Sequence, residues 1–196
     1  MTHKRMPKTA GRGGSAGLRE TRTRTLERVP GKAVSFRVDE VRLPNGAKAV
    51  RGYMEHIGAV AVLPVLDDGR IVFVRQHRYP VGEDTLEIPA GKLNRAGEDA
   101  AARARAELRE ETGFTAARLT RLLSFWPSTA FSTEILHIYL ARGLKEGAPC
   151  PDEDEFVDAE ILTFKKAWAM VRSGRIKDAK TVIALQAWKI KELENR

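Results

Sequence analysis

The chain has 196 residues, 34 Lys+Arg against 26 Asp+Glu, a net charge of +8 and 42% hydrophobic residues. That length and apolar content suit one folded domain with a real core and exclude a wholly disordered chain. One cysteine, Cys150, excludes a disulfide scaffold, and no apolar run reaches the ~18 residues that a membrane span needs.

The charge is uneven. Residues 1–30 carry eight Lys/Arg and two acids, a surplus of +6, whereas the other residues carry only +2. Gly11, Gly13, Gly14, Ser15 and Gly17 interrupt that basic stretch, and large apolar side chains are nearly absent from it. The expectation is a disordered basic tail over residues 1–30 and a folded domain over residues 31–196. From about Leu18 the tail is still able to join the first strand. The near-neutral remainder argues against nucleic acid as the partner. A lone thiol and a basic start without a following apolar stretch fit a cytoplasmic setting.

Val34, Phe36 and Val38 alternate with polar residues as in a strand, and Pro44-Asn45-Gly46 turns it into a hairpin with residues 47–53. Gly58–Leu66 is a near-continuous apolar run, expected of a strand covered on both faces. Asp67-Asp68-Gly69 turns it back into Ile71–Val74. A short strand at Leu86–Ile88 and a break at Pro89-Ala90-Gly91 follow. Residues 100–112 are rich in Ala, Arg, Glu and Leu, which favour helix, and Gly113 is placed to end it. Leu119–Phe125, Ile135–Leu140 and Phe156–Leu162 read as strands. Residues 164–172 read as a helix stopped by Gly174, and residues 181–193 as a final helix. This order gives an α/β (α+β) class, with a mixed sheet sandwiched between helices and an N-terminal antiparallel β-extension.

The helix over residues 100–112 holds the most chemistry. Glu107, Glu110 and Glu111 stand at i, i+3 and i+4, so they share one face. Like charges this close repel unless a cation lies between them. A hard divalent ion is one answer; a solvated face paired to Arg103, Arg105 and Arg109 is the other. Glu98 and Gly97 lie just ahead of the helix.

The segment Gly91–Phe114 resembles the signature of the Nudix hydrolases, G-x5-E-x7-R-E-U-x-E-E-x-G-U, where U is bulky and apolar. Gly91, Glu98, Glu107, Leu108, Glu110, Glu111, Gly113 and Phe114 match its fixed positions. Two departures stand out. One extra residue separates Gly91 from Glu98, and Ala106 occupies the place of the signature arginine, with Arg103 and Arg109 as stand-ins. The resemblance implies a Nudix fold binding Mg²⁺ or Mn²⁺ through Glu107, Glu111, Glu110 and the Ala90 carbonyl, with Glu110 as ligand or metal-linked base.

Beyond the signature, RGYMEHIGAV from Arg51, VRQHRYP from Val74, LEIPAG from Leu86, STEILHIYLARGL from Ser132 and GRIKDAKTVIAL from Gly174 resemble the ADP-ribose pyrophosphatase branch of that family. The branch hydrolyses nucleoside diphosphate sugars. The resemblance implies that Arg51 and Arg78 contact the substrate, that Phe36 stacks on its adenine, and that an acid on the loop at Asp152–Glu155, Glu153 or Glu155, activates water. It further implies a homodimer. The proline that marks ADP-ribose specificity is replaced by Thr129, which leaves ADP-glucose and GDP-mannose as alternatives. A nucleotide-binding module without efficient chemistry is the alternative from another class.

Overall fold

The apolar run at residues 58–66 becomes the centre of the molecule because it carries no charge for either face to repel. A computed structural model of the chain describes residues 15–150 and 156–194. After a short 3-10 turn come β1 (Thr21–Val29), β2 (Val34–Arg42), β3 (Lys48–His56), β4 (Ala59–Pro64), β5 (Ile71–Arg78), β6 (Glu83–Glu87) and β7 (Ala90–Lys92). Helix α1 (Ala100–Thr112), β8 (Thr115–Phe125), β9 (Leu136–Lys145), β10 (Val157–Leu162), α2 (Phe164–Arg172) and α3 (Ala179–Glu194) complete it.

Strand β4 lies inside a four-stranded mixed sheet, β7-β4-β9-β8, parallel to β9 and antiparallel to β7. All six of its residues are buried. Because side chains alternate along a strand, Val60 and Val62 join Leu108 and Ala104 of α1 in one cluster. Ala61 and Leu63 join Leu185 and Trp188 of α3 in the other. A second sheet, β10-β5-β6, contributes Val72 to the first cluster and Ile71 and Phe73 to the second. The expected mixed sheet between helices is therefore the observed architecture.

Helix α1 has the expected limits. Asp99 caps its start by accepting from the Ala101 N–H at 2.9 Å, and Gly113 ends it in the left-handed region at φ 76°. Helix α2 likewise spans the expected residues, its first turn capped by Thr163.

Four expectations are corrected. The disordered tail expected over residues 1–30, left free to join a strand from about Leu18, does not extend through residues 21–29, which form β1, paired antiparallel to β2. Every residue of β1 is exposed, so burial does not hold it. Backbone pairing and cross-strand ion pairs do, with Arg24 on Glu40 at 3.5 Å and Arg28 on Glu55 at 3.0 Å. The strand expected at Leu86–Ile88 runs instead from Glu83 to Glu87. Pro89 has no N–H to continue that pairing, and the expected break at residues 89–91 holds β7, whose Ala90 pairs with Ala61. Strand β8 begins at Thr115 rather than Leu119, because Thr115, Ala116 and Arg118 pair with Lys145, Leu144 and Arg142 at the end of β9.

The N-terminal extension, β1-β2-β3, is antiparallel as expected. The hairpin turns at Pro44–Gly46, where Asn45 Oδ1 accepts from the Ala47 N–H at 3.0 Å and Gly46 takes φ 85°. Among the described residues, no helix is long and apolar enough to cross a membrane.

Candidate active site

The turn from β6 through Pro89 into β7 lays the backbone of residues 90–92 across the flank of α1. Gly91 is required there by contact rather than by backbone strain. A Cβ on it would fall 1.4 Å from Glu107 Oε1. Glu107 and Glu111 are both buried, at 2% and 4% exposure, yet both line a cavity of about 520 Å³. Glu111 Oε2 accepts the Ala90 N–H at 3.1 Å. Arg103 pairs with Glu107 at 2.5 Å and with Glu110 at 3.2 Å. Glu98 closes the preceding loop by accepting from the backbone and side-chain amides of Asn94, a structural role.

Two carboxylates so deeply placed on one side of a cavity require positive charge near them. Arg103, Arg78, Lys92 and Lys180 line the same cavity, as do Gln76, Glu134 and Lys32. The donor set of Glu107, Glu111 and Ala90 is all oxygen, which suits a hard ion such as Mg²⁺. Among the described residues, no three His, Cys, Asp or Glu side chains form a ready-made cage. Mg²⁺ fits that arrangement, since it uses one or two carboxylates, keeps several waters and takes the rest from substrate phosphates.

Arg78 and Lys180, which line this cavity too, belong to a network around the buried Glu87 that sequence reading did not find. Arg78 grips Glu87 with both donors, at 2.9 Å and 2.7 Å, while Lys180 and Thr85 also donate to it. Burial pushes the Glu87 carboxyl up, but the Arg78 fork, Lys180 and Thr85 outweigh it and hold it at about 2, against an ordinary 4.5. A carboxyl depressed on folding stabilises the protein fully above its unfolded pKa and loses that contribution as pH falls through the folded one. The drop from 4.5 to about 2 corresponds to roughly 3 kcal/mol. Urea unfolding is therefore expected to show the native protein losing about that much between pH 5 and pH 2 in excess of Glu87→Gln. Identical pH profiles for the two proteins would remove Glu87 from this role.

Of the expected site residues, the fold brings Ala90, Glu107, Glu111 and Arg78 to one cavity. Glu110 is on the same helix face but does not line the cavity, and its carboxylate turns to Arg103. Arg51 and Phe36 lie on the N-terminal sheet, outside the cavity of a single chain. Arg51 pairs with Glu20 at 2.5 Å, and Phe36 is 42% exposed beside Gly52. Glu153 and Glu155 fall outside the described residues. The chain on either side of them is fixed at the site. Cys150 N–H donates to the Glu110 carbonyl at 3.0 Å, and Val157 pairs with Gln76. Sequence reading missed Glu134, Lys92, Lys180 and Glu87. Lys180 and Glu87 lie inside segments that carried the resemblance, but nothing local pairs them.

Similarity to known proteins agrees with this geometry. The NUDIX domain profile matches residues 55–185, which span β4, β7, α1 and most of the residues that line the cavity. The chain belongs to the Nudix family. It is 44% identical over 178 residues to the methanol dehydrogenase activator of Bacillus methanolicus, covering 89% of this chain and 96% of that one. It is also 44% identical over 164 residues to the ADP-ribose pyrophosphatase of Bacillus subtilis (strain 168), covering 83% and 88%. The crystal structure of an ADP compounds hydrolase superposes with a TM-score of 0.77 at 21% identity, over 91% of this chain and 96% of that one. The Nudix fold is thereby established, and with it a hydrolase of this family.

Proposed function

We propose that this Nudix hydrolase cleaves the diphosphate bond of ADP-ribose, releasing AMP and ribose 5-phosphate, with Mg²⁺ or Mn²⁺ as cofactor. The observation that carries the reading is the pair of buried glutamates, Glu107 and Glu111, lining a cavity that Arg78 and Lys180 line as well. A diphosphate brings negative charge that these cations attract, and its oxygens would complete the ligands of an ion held by the glutamates. That ion, when bound, neutralises charge developing on phosphorus and lowers the pKa of a bound water.

The protein's own part is to bind and orient. Glu107, Glu111 and the Ala90 carbonyl would hold the ion, with Glu110 as a further ligand or metal-linked base. Arg78 keeps its fork aligned through Glu87 and presents its remaining donor to phosphate. Glu153 or Glu155 takes the proton of the attacking water, a role supported by the anchoring of both flanks of their segment beside α1 and β5. Arg51 and Phe36 act across a homodimer, where the N-terminal sheet of one chain reaches the site of its partner. The exposure of Phe36, Val50, Leu26 and Val29 on that sheet supports this. The lone Cys150 supports a cytoplasmic location.

The test is a panel of ADP-ribose, ADP-glucose and GDP-mannose with Mg²⁺, Mn²⁺ or chelator. ADP-ribose is expected to release AMP fastest, and chelator to abolish release. Tight binding of ADP-ribose without AMP would replace the enzyme by a nucleotide-binding module. A faster reaction with GDP-mannose would reassign the substrate. The 44% identity to the methanol dehydrogenase activator over nearly its whole length favours one second reading, activation of a dehydrogenase. Addition of the chain with Mg²⁺ to a methanol dehydrogenase, followed by its rate, decides that.

A further inference from the structure

We propose that Arg103 is the positioning residue that aims the glutamates of α1, replacing an arginine that position 106, an alanine, does not supply. The inference rests on Glu107 and Glu111 as the carboxylates that hold the metal. Arg103 stands one turn before Glu107 and two before Glu110, on the same face. Helical side chains lean toward the N-terminus, so both glutamates reach back to it. Its Nη2 lies 2.5 Å from Glu107 Oε1 and its Nη1 3.2 Å from Glu110 Oε2. Its Nε donates to the Lys92 carbonyl at 3.4 Å, which ties the same guanidinium to β7. One planar group thus spans two carboxylates of the helix and the strand that faces them. Arg105 is not available for this work, since its Nη1 donates to the Ala116 carbonyl at 2.7 Å on the other side of α1.

The physical effect is twofold. A guanidinium paired with two of the three carboxylates reduces the repulsion on this face before any ion arrives. Its fixed fork also selects one rotamer for Glu107, keeping that carboxylate against Gly91 and in the cavity. A lysine at 103 is a single point charge and holds one carboxylate at a time.

Four variants and two readouts test this. Arg103→Met keeps the alkyl stem, Arg103→Lys keeps stem and charge, and Ala106→Arg is made alone and combined with Arg103→Met. Mn²⁺ affinity is read by EPR on substrate-free protein, and kcat and KM on ADP-ribose. Arg103→Met is expected to weaken Mn²⁺ binding and lower kcat by about 10–100-fold, with KM within about threefold. Adding Ala106→Arg to it recovers about tenfold in each, and Arg103→Lys stays impaired. If Arg103→Met does not fold, Arg103→Lys alone and with Ala106→Arg makes the same comparison. Mn²⁺ affinity and kcat unchanged in Arg103→Met, or no recovery in the combined variant, overturns the role of Arg103 while leaving the site intact. A native chain that binds no Mn²⁺ overturns the reading of the site, and this inference with it.

Discussion

Glu111→Gln is expected to lower kcat by at least about 10³-fold, some 4 kcal/mol of transition-state stabilisation, with the thermal midpoint moved by no more than a few degrees. The separation of the two effects follows from what Glu111 touches. Its Oε2 accepts the Ala90 N–H at 3.1 Å, and a glutamine oxygen accepts that bond equally well. The side chain keeps its volume in a site that is only 4% exposed. What the substitution removes is charge, one of the two buried carboxylates proposed to hold the ion. Single-turnover AMP release alongside a thermal melt measures both quantities. Turnover at the native rate would take Glu111 out of the catalytic machinery.

Gly91→Ala is expected to cost both activity and stability. The backbone of Gly91 is not left-handed, so alanine meets no torsional penalty there. The penalty is overlap, because the new Cβ would stand 1.4 Å from Glu107 Oε1 and 2.1 Å from its Cδ. The carboxylate has to leave its place, or β7 has to leave α1. Overpacking of this kind costs about 1–3 kcal/mol, and displacement of a reacting group by about 1 Å costs on the order of 100-fold in rate. Gly97→Ala is the control. Its φ of 76° makes alanine costly to the backbone, but open space surrounds the position and nothing of the cavity is touched. Stability lost in both variants with activity lost only in Gly91→Ala is the expected result. Native activity in Gly91→Ala would show that Glu107 does not need its place beside β7.

The parts of this protein that its sequence revealed are those where one segment holds its own explanation. Helix α1 announces itself through strong helix formers and a terminal glycine, and its glutamates through their spacing. Strand β4 does so through an unbroken apolar run. Strand β1 is different, because its threonines and arginines are exposed and gain from β2 and β3 alongside. Strand β7 is three residues long, and its existence depends on the free edge of β4. The site divides in the same way. The spacing puts three acids on one face but does not say that Glu110 turns to Arg103 and leaves the cavity. Glu87 and Lys180 lie 93 residues apart, and only the folded chain makes them partners.

That long-range pairing has a consequence for how the molecule comes into being. Helix α3 follows every strand of the three sheets in the chain, and besides Lys180 it provides Thr181, whose hydroxyl accepts the Ile88 N–H at 2.9 Å. A chain emerging from its N-terminus has α1 and its glutamates well before this cation and this hydroxyl. Until α3 docks, Glu87 has no Lys180 and the Ile88 amide no hydroxyl, so the β6–β7 turn lacks these two of its contacts. Topologies that wait on distant partners fold slowly. The surroundings of Glu87 and Ile88 are therefore complete only once α3 has docked.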